Sequence, residues 1–372
     1  MRRIFLLSHP IHSASAGILF GLALLIGACS ARRDEGNAPE PVVPALDTLF
    51  VIGADDGPED EIIDAVAFRG RPILDQGPDG LIWVVNPAGS NLLVFDAEGE
   101  KTAVYGRMGS GPGEFFDVAA LSAIQDGAWT WDWRNQQLCR WSARNGLVRT
   151  WRTELGQPNS NKAVLEADGT IWFFDQDFAG ISDHSVTHNL LRVPAGSDPD
   201  TLWQCEIPAA VTPAHMGIAP SYSPHFIHAP GEGVIVCGTY EYVLHHITEA
   251  EFTTWSLPTT NTPYSARALR PGGRGGVSES GSNKIYEPPL MPHKPDVEEL
   301  YRANSQEFWV RTPVRDTKER YRYDVLDVRG RITGSYWMSG RLEAITRHGD
   351  LLVVMSTSPD IGCRIIGLRF NH

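Results

Sequence analysis

Val118-Ala119-Ala120-Leu121-Ser122-Ala123-Ile124, then Gln125-Asp126-Gly127, then Ala128-Trp129-Thr130-Trp131-Asp132-Trp133: two apolar runs joined by a turn dipeptide. Runs this short have strand length rather than helix length, and Trp, Val, Ile and Thr suit a strand. Asp-Gly between them marks a hairpin, with positive φ expected at both turn positions. A third run, QLCRWS (137–142), and a fourth, LVRTWR (147–152), follow at close spacing. The unit is four antiparallel strands.

The same unit recurs along the chain. Asp79-Gly80 precedes LIWVV (81–85) and Asp168-Gly169 precedes TIWFFD (170–175). Looser turn equivalents at 231–233, 304–306 and 348–350 precede VIVCG, EFWVR and LLVVM. Each copy has a strand candidate before its turn (72–76, 118–124, 162–167, 225–229, 298–303, 342–347) and a third strand after it. A fourth strand follows in every copy but the last, which ends at His372. The lone strand pattern DTLFVIG (47–53) supplies the missing one, because a ring of sheets leaves unpaired backbone at its seam unless a strand closes it. The expected fold is all-β: a six-bladed β-propeller of four-stranded antiparallel blades over residues 47–372, closed by an N-terminal strand. Composition agrees, since 36 Gly and 26 Pro among 372 residues make a turn-rich chain. The formal charge of −13, from 32 Lys+Arg against 45 Asp+Glu, excludes the basic footprint of a nucleic-acid binder.

The first residues carry an address. Arg2 and Arg3 precede the apolar run GILFGLALLI (17–26), which has the length of a signal h-region and is short for a membrane span. Ile26-Gly27-Ala28-Cys29 resembles a bacterial lipobox, with small residues before the cut and a thiol to take the lipid. Residues 1–28 therefore read as a lipoprotein signal peptide, Cys29 as the lipid (palmitate) attachment site, and 29–46 as a lipidated, Pro-rich tether. Cleavage before Cys29 removes Arg2 and Arg3 and takes the charge from −13 to −15, so lipid rather than electrostatics would hold the body to the membrane. Ser30 after the cysteine points to the outer membrane, and the expected location is the bacterial cell envelope, facing periplasm or exterior.

One stretch carries a more specific resemblance. Gly106-Arg107-Met108-Gly109-Ser110-Gly111-Pro112-Gly113-Glu114-Phe115, followed by Asp126-Gly127, Trp131-Asp132 and Asn135, resembles an NHL repeat of the bacterial six-bladed propeller lipoproteins. The resemblance is good over 71–153, partial at 162–195 and degenerate after 208. It implies the fold and leaves activity open, since such propellers include lyases, lactonases and binding modules.

In an up-and-down blade the loops alternate between two ends. One end has the tight turns; the other receives the insertions 174–188, 208–223, 258–296, 311–320 and 356–362. Long loops in a compact domain are commonly functional, so the expected site is the channel mouth at the long-loop end. Ligand-binding candidates there are Arg107, Asp132, Trp133, Arg134, Asp175, Tyr240 and Arg311, where rings beside carboxylates and guanidiniums suit a glycan or peptide. Glu114 and its glycines read instead as shaping the interblade turn, and Asp132 and Asp175 equally as backbone acceptors. His184, His188, His215 and His225 are candidate ligands for a divalent metal, as the similarity to propeller lyases and lactonases implies; Asp177 lies nearby. No cofactor is otherwise expected. Cys139, Cys205, Cys237 and Cys363 lie in separate strand runs without C-x-x-C spacing and read as buried thiols. The expected function is a lipid-anchored, monomeric envelope protein that binds a ligand or protein partner without turnover. The alternative is a metal-dependent lyase or lactonase using the same face.

Overall fold

The computed structural model describes residues 40–53, 73–86, 90–153, 155, 163–177, 185–194, 200–212, 217–220, 225–229, 233–237, 242–248, 251–258, 297–358 and 362–370. Six antiparallel sheets account for them. The N-terminal strand β1 (Leu46–Ile52) is followed by blade 1, made of β2 (Ile73–Gln76), β3 (Ile82–Asn86), β4 (Asn91–Phe95) and β5 (Lys101–Tyr105). Blade 2 is β6 (Val118–Ile124), β7 (Gly127–Asp132), β8 (Gln137–Ser142) and β9 (Gly146–Arg152). Blade 3 is β10 (Ala163–Leu165), β11 (Ile171–Asp177), β12 (Ser185–Val193), β13 (Asp200–Thr212) and β14 (Gly217–Pro220). Blade 4 is β15 (His225–His228), β16 (Val234–Cys237), β17 (Val243–Ile247) and β18 (Phe252–Ser256). Blade 5 is β19 (Glu299–Arg302), β20 (Glu307–Arg315), β21 (Tyr321–Asp327) and β22 (Ile332–Met338). β23 (Leu342–His348), β24 (Leu351–Ser358) and β25 (Gly362–Phe370) complete blade 6 with β1 in the order β1-β25-β24-β23. The chain is a six-bladed β-propeller whose last blade takes its outer strand from the N-terminus.

Closure is a register, not a loose contact. Leu46 faces Phe370 and Ile52 faces Ile365, with a bulge between Thr48 and Phe50. Just before β1, Val42 bridges to blade 5: its N–H donates to the Ser335 carbonyl at 2.9 Å and its carbonyl accepts from Trp337 N–H at 2.9 Å. The N-terminal segment thus binds the outer edges of two successive blades.

The cores lie between blades. Of the buried clusters among the described residues, each joins the facing sheets of two neighbours: Val84 and Phe95 of blade 1 meet Val353 and Ile365 of blade 6, and Trp131 of blade 2 meets Phe173 of blade 3. A middle strand is therefore buried on both faces, which explains why IWVVN (82–86) and GAWTWD (127–132) are continuous apolar runs rather than alternating ones. Outer strands alternate, as FTTWS (252–256) does. Trp83, Trp131, Trp141, Trp172 and Trp309 are fully buried, each filling an interblade seam at the roughly 10 Å spacing of stacked sheets. Cys139, Cys237 and Cys363 are free, buried thiols.

Two local expectations change. Asp79-Gly80 and Asp168-Gly169 do not take positive φ at both positions; only the glycines do, at +83° and +90°. Each closes a turn that starts three residues earlier, Gly80 N–H donating to Gly77 O and Gly169 N–H to Glu166 O, while the aspartate accepts from the residue after the glycine. This is the three-residue hairpin with a glycine bulge. In Asp126-Gly127 the aspartate itself is left-handed at +59°, because Gly127 is already in the strand, where a Cβ would strike the Trp141 carbonyl. Second, several long loops are largely extended hairpins. β11 and β12 run to 177 and from 185, β20 and β21 leave only 316–320 between them, and β13 and β14 form an added hairpin pairing Ala209 with Pro220.

Candidate functional site

The inner strands β2, β6, β10, β15, β19 and β23 line the central channel. Near the tight turn that ends it, each departs from the apolar pattern: Asp75, Ser122, Glu166 after β10, His228, Arg302 and Thr346. Ser122, His228 and Arg302 sit where two cavities meet. The outer one, about 380 Å³, is enclosed by the turns at Pro78, Gln125 and Ala167-Asp168 and by Glu166, His228 and Arg302. The inner one, about 210 Å³, continues down the channel past Asp75, Glu299 and Glu343. The mouth therefore opens at the tight-turn end, opposite the loops that the sequence reading favoured.

Charge in this region is unevenly matched. Asp75 Oδ2 accepts from Ala123 N–H at 2.8 Å and Oδ1 from Gln76 N–H at 2.9 Å, tying the inner strands of blades 1 and 2. Burial pushes its carboxyl above the usual range, against the opposing pull of Arg302 and these N–H groups. His228 Nε2 lies 3.9 Å from Glu166 Oε1, yet burial and then the Arg302 charge drive its pKa down to about 3, against smaller upward pulls from the Ala229 backbone and then Asp168. It is a neutral imidazole at neutral pH, and its Nδ1 is buried without a hydrogen-bond partner among the described residues. Arg302 has the same feature: its Nε is buried and unpartnered, and it forms no ion pair within 4.0 Å among the described residues.

The sequence-derived candidates separate into groups. Arg107, Asp132 and Arg134 come together at the long-loop end of blade 2. Asp132 is 2% exposed and accepts from the N–H groups of Phe116, Asp117, Arg134 and Asn135, while Asn135 Nδ2 donates to Gly109 O at 2.7 Å. Arg107 pairs with Glu114 at 2.8 Å; the Gly111 N–H and then Arg107 hold that carboxyl below its ordinary range. Arg134 stacks on the exposed ring of Phe116 at 4.6 Å and lies 6.0 Å from the Trp133 ring, and Trp133 itself packs against the blade 2–3 core. These contacts build the interblade turn. Arg311 is 2% exposed and spent within blades 5 and 6, donating to Tyr301 Oη at 2.6 Å, Leu342 O and Glu298. Asp175 is half-buried opposite Asn189. His225 Nδ1 lies 3.3 Å from Glu299 Oε1, between blades 4 and 5.

Residues 1–28, Cys29, His184, His215, Tyr240 and the 259–296 insertion lie outside the described residues, and so do the side chains of Asp177, His188 and Cys205. Among the described residues no group of three His, Cys, Asp or Glu is arranged to hold a metal ion, and no helix is long and apolar enough to cross a membrane.

Sequence reading missed Arg302, His228 and Asp75 as a group. The available signal was the polar residue inside each short inner strand, in PILDQ, HFIHA and EELYRA.

Comparison with known proteins agrees with the architecture. The family described as a 6-bladed beta-propeller, DUF5128, matches residues 76–125. A protein of Bacteroides fragilis NCTC 9343 described as exported superposes with a TM-score of 0.51 at 13% identity, covering 89% of this chain and 97% of its own. A duf4221 member from Bacteroides vulgatus gives 0.49 at 9% identity, with 89% and 98% covered, and virginiamycin B lyase from Staphylococcus aureus gives 0.39 at 12%, with 80% of each. No curated protein matches.

Proposed function

We propose that this propeller is a lipid-anchored binding protein of the cell envelope that takes a small polar solute into the channel mouth at its tight-turn end. The observation that carries the reading is the cavity of about 380 Å³ at the channel mouth, lined by the polar side chains of Glu166, Asp168, His228 and Arg302. A concave site with a few convergent polar groups marks a place for a ligand. The volume lies in the range of small-molecule sites. The envelope address rests on the signal-like run 17–26 and on Ile26-Gly27-Ala28-Cys29.

The experiment is a thermal-shift panel on the full chain with single amino acids, monosaccharides, nucleosides and dicarboxylates. Binding that is lost in Gln125→Trp, an exposed mouth position, and kept in Arg134→Ala supports the reading. Binding lost in Arg134→Ala and kept in Gln125→Trp moves the site to the long-loop end. The anchor has a separate test: Cys29→Ser should abolish incorporation of labelled palmitate, and retained label contradicts it.

A further inference from the structure

The residues that lead from the tether into the ring hold a concentration of exposed apolar surface. Val42 and Val43 are 54% and 57% exposed, Leu49 39% and Val51 43%, whereas the other large apolar exposures among the described residues are scattered over blades 1, 2, 4 and 5. Single exposed apolar residues are ordinary; a contiguous set marks a contact surface. Here the set is contiguous. Val42 bridges to Tyr336, and the Tyr336 and Phe370 ring centroids lie 5.8 Å apart. Phe370 faces Leu46 across the β1–β25 pair, and Ile366 faces Val51. Tyr336, Leu46, Ile366 and Phe370 are themselves only partly buried against the core between blades 5 and 6. The register accounts for Leu49: the bulge between Thr48 and Phe50 leaves it without a cross-strand partner. The outer seam of blades 5 and 6 is therefore an apolar face, and it begins where the tether ends.

We propose that this seam rests on the headgroup region of the membrane that holds the lipid; the inference depends on the reading of Cys29 as the anchor. Val42 follows Cys29 by 13 residues, a length that spans at most about 45 Å fully extended and about 20 Å as a flexible coil. The apolar seam is thus the part of the ring kept within shortest reach of the bilayer, and settling on it removes these side chains from water. β1 is the last strand of its sheet, and its outer backbone edge has no strand partner among the described residues. Unpaired N–H and C=O groups are not tolerated in hydrocarbon, so the contact stays at headgroup depth. Exposed Asp47 faces exposed Arg369, and exposed Glu40 precedes the valines. The face has no positive surplus for anionic lipid, and a zwitterionic bilayer is the partner that fits. Contact through the outer blade edges lays the ring axis along the membrane and leaves the channel mouth open to the side.

The lipidated full chain in phosphatidylcholine vesicles tests the proposal. An environment-sensitive NBD label on Leu49→Cys is compared with the same label on Val148→Cys, an exposed outer-strand position of blade 2, across the ring from blade 5; label on the unsubstituted chain gives the background. Both variants should float with the vesicles. The Leu49→Cys label should be blue-shifted and quenched by headgroup-proximal doxyl lipid at least about twofold more than the Val148→Cys label. Leu49→Asp combined with Val51→Asp should still float and keep its urea midpoint, yet free a label on Val43→Cys from quenching; quenching that persists there overturns the role of the seam. Equal quenching of the Leu49→Cys and Val148→Cys labels in floating protein overturns the contact and leaves the anchor standing. Failure to float overturns the anchor and the contact with it. A Leu49→Cys label that is blue-shifted but not quenched by doxyl lipid refutes the membrane as partner, and its reversion on dilution then identifies a second copy of the chain on the seam.

Discussion

Replacing His228 with glutamine should remove part of the acid sensitivity of folding. In the folded protein His228 resists protonation down to about 3, because burial and Arg302 both oppose a second positive charge there; its unfolded reference is 6.5. Below that reference the unfolded chain takes up a proton that the folded chain refuses. Stability is therefore unaffected by this group above 6.5 and is lost as pH falls toward 3, by about 1.4 kcal/mol per pH unit. The loss reaches about 1 kcal/mol near pH 5.5 and about 3 kcal/mol near pH 4.5. Asp75 acts with the opposite sign, since its carboxyl is raised on folding, but it is present in both proteins and cancels in their difference. Urea unfolding of wild type and His228→Gln at each pH measures the gap directly. The variant should gain on wild type by these amounts as pH falls from neutrality. Parallel pH profiles would refute the placement of a neutral imidazole beside Arg302.

Other outcomes follow from the same contacts. Asp132→Ala removes the acceptor of four backbone N–H groups at a 2% exposed position and should cost about 3 kcal/mol or more in urea unfolding. Gly330→Ala places a methyl group against the Trp255 ring at φ +71° and should cost about 1–3 kcal/mol. Trp309→Ala empties a fully buried seam position and should cost about 3–5 kcal/mol. A chain lacking residues 40–53 leaves the β25 edge unpaired and Ile365 without Ile52 across the sheet, and should unfold at lower urea and self-associate on size exclusion.

How much of this was legible in the sequence depended on whether a signal was local. The turn at Asp79-Gly80 and the apolar run after it needed only neighbouring residues, so blade number and the closing strand could be read directly. The turn type could not, because Gly77 and Glu166, three residues back from the glycines, decide it. Residues 311–320 read as a loop, yet β20 continues to Arg315: the register shift between Arg311 and Arg315 provides the bulge at which Pro313 is tolerated. Pro220 likewise ends an edge strand that reads as loop. The channel mouth was hidden for a different reason. Asp75, His228 and Arg302 are distant in sequence and are brought together only by ring closure. In Asp132 and Arg311 a conspicuous residue proved to be committed to backbone and neighbouring side chains.

The most direct measurement of the central claim is hydrogen–deuterium exchange of the full chain with and without the panel solute that raises Tm most. Protection is expected at the tight turns 77–80, 125–126 and 166–169 and at the ends of β15 and β19, where the cavity of about 380 Å³ opens. Protection at 106–117 and 133–136 instead, with those turns unchanged, would contradict it.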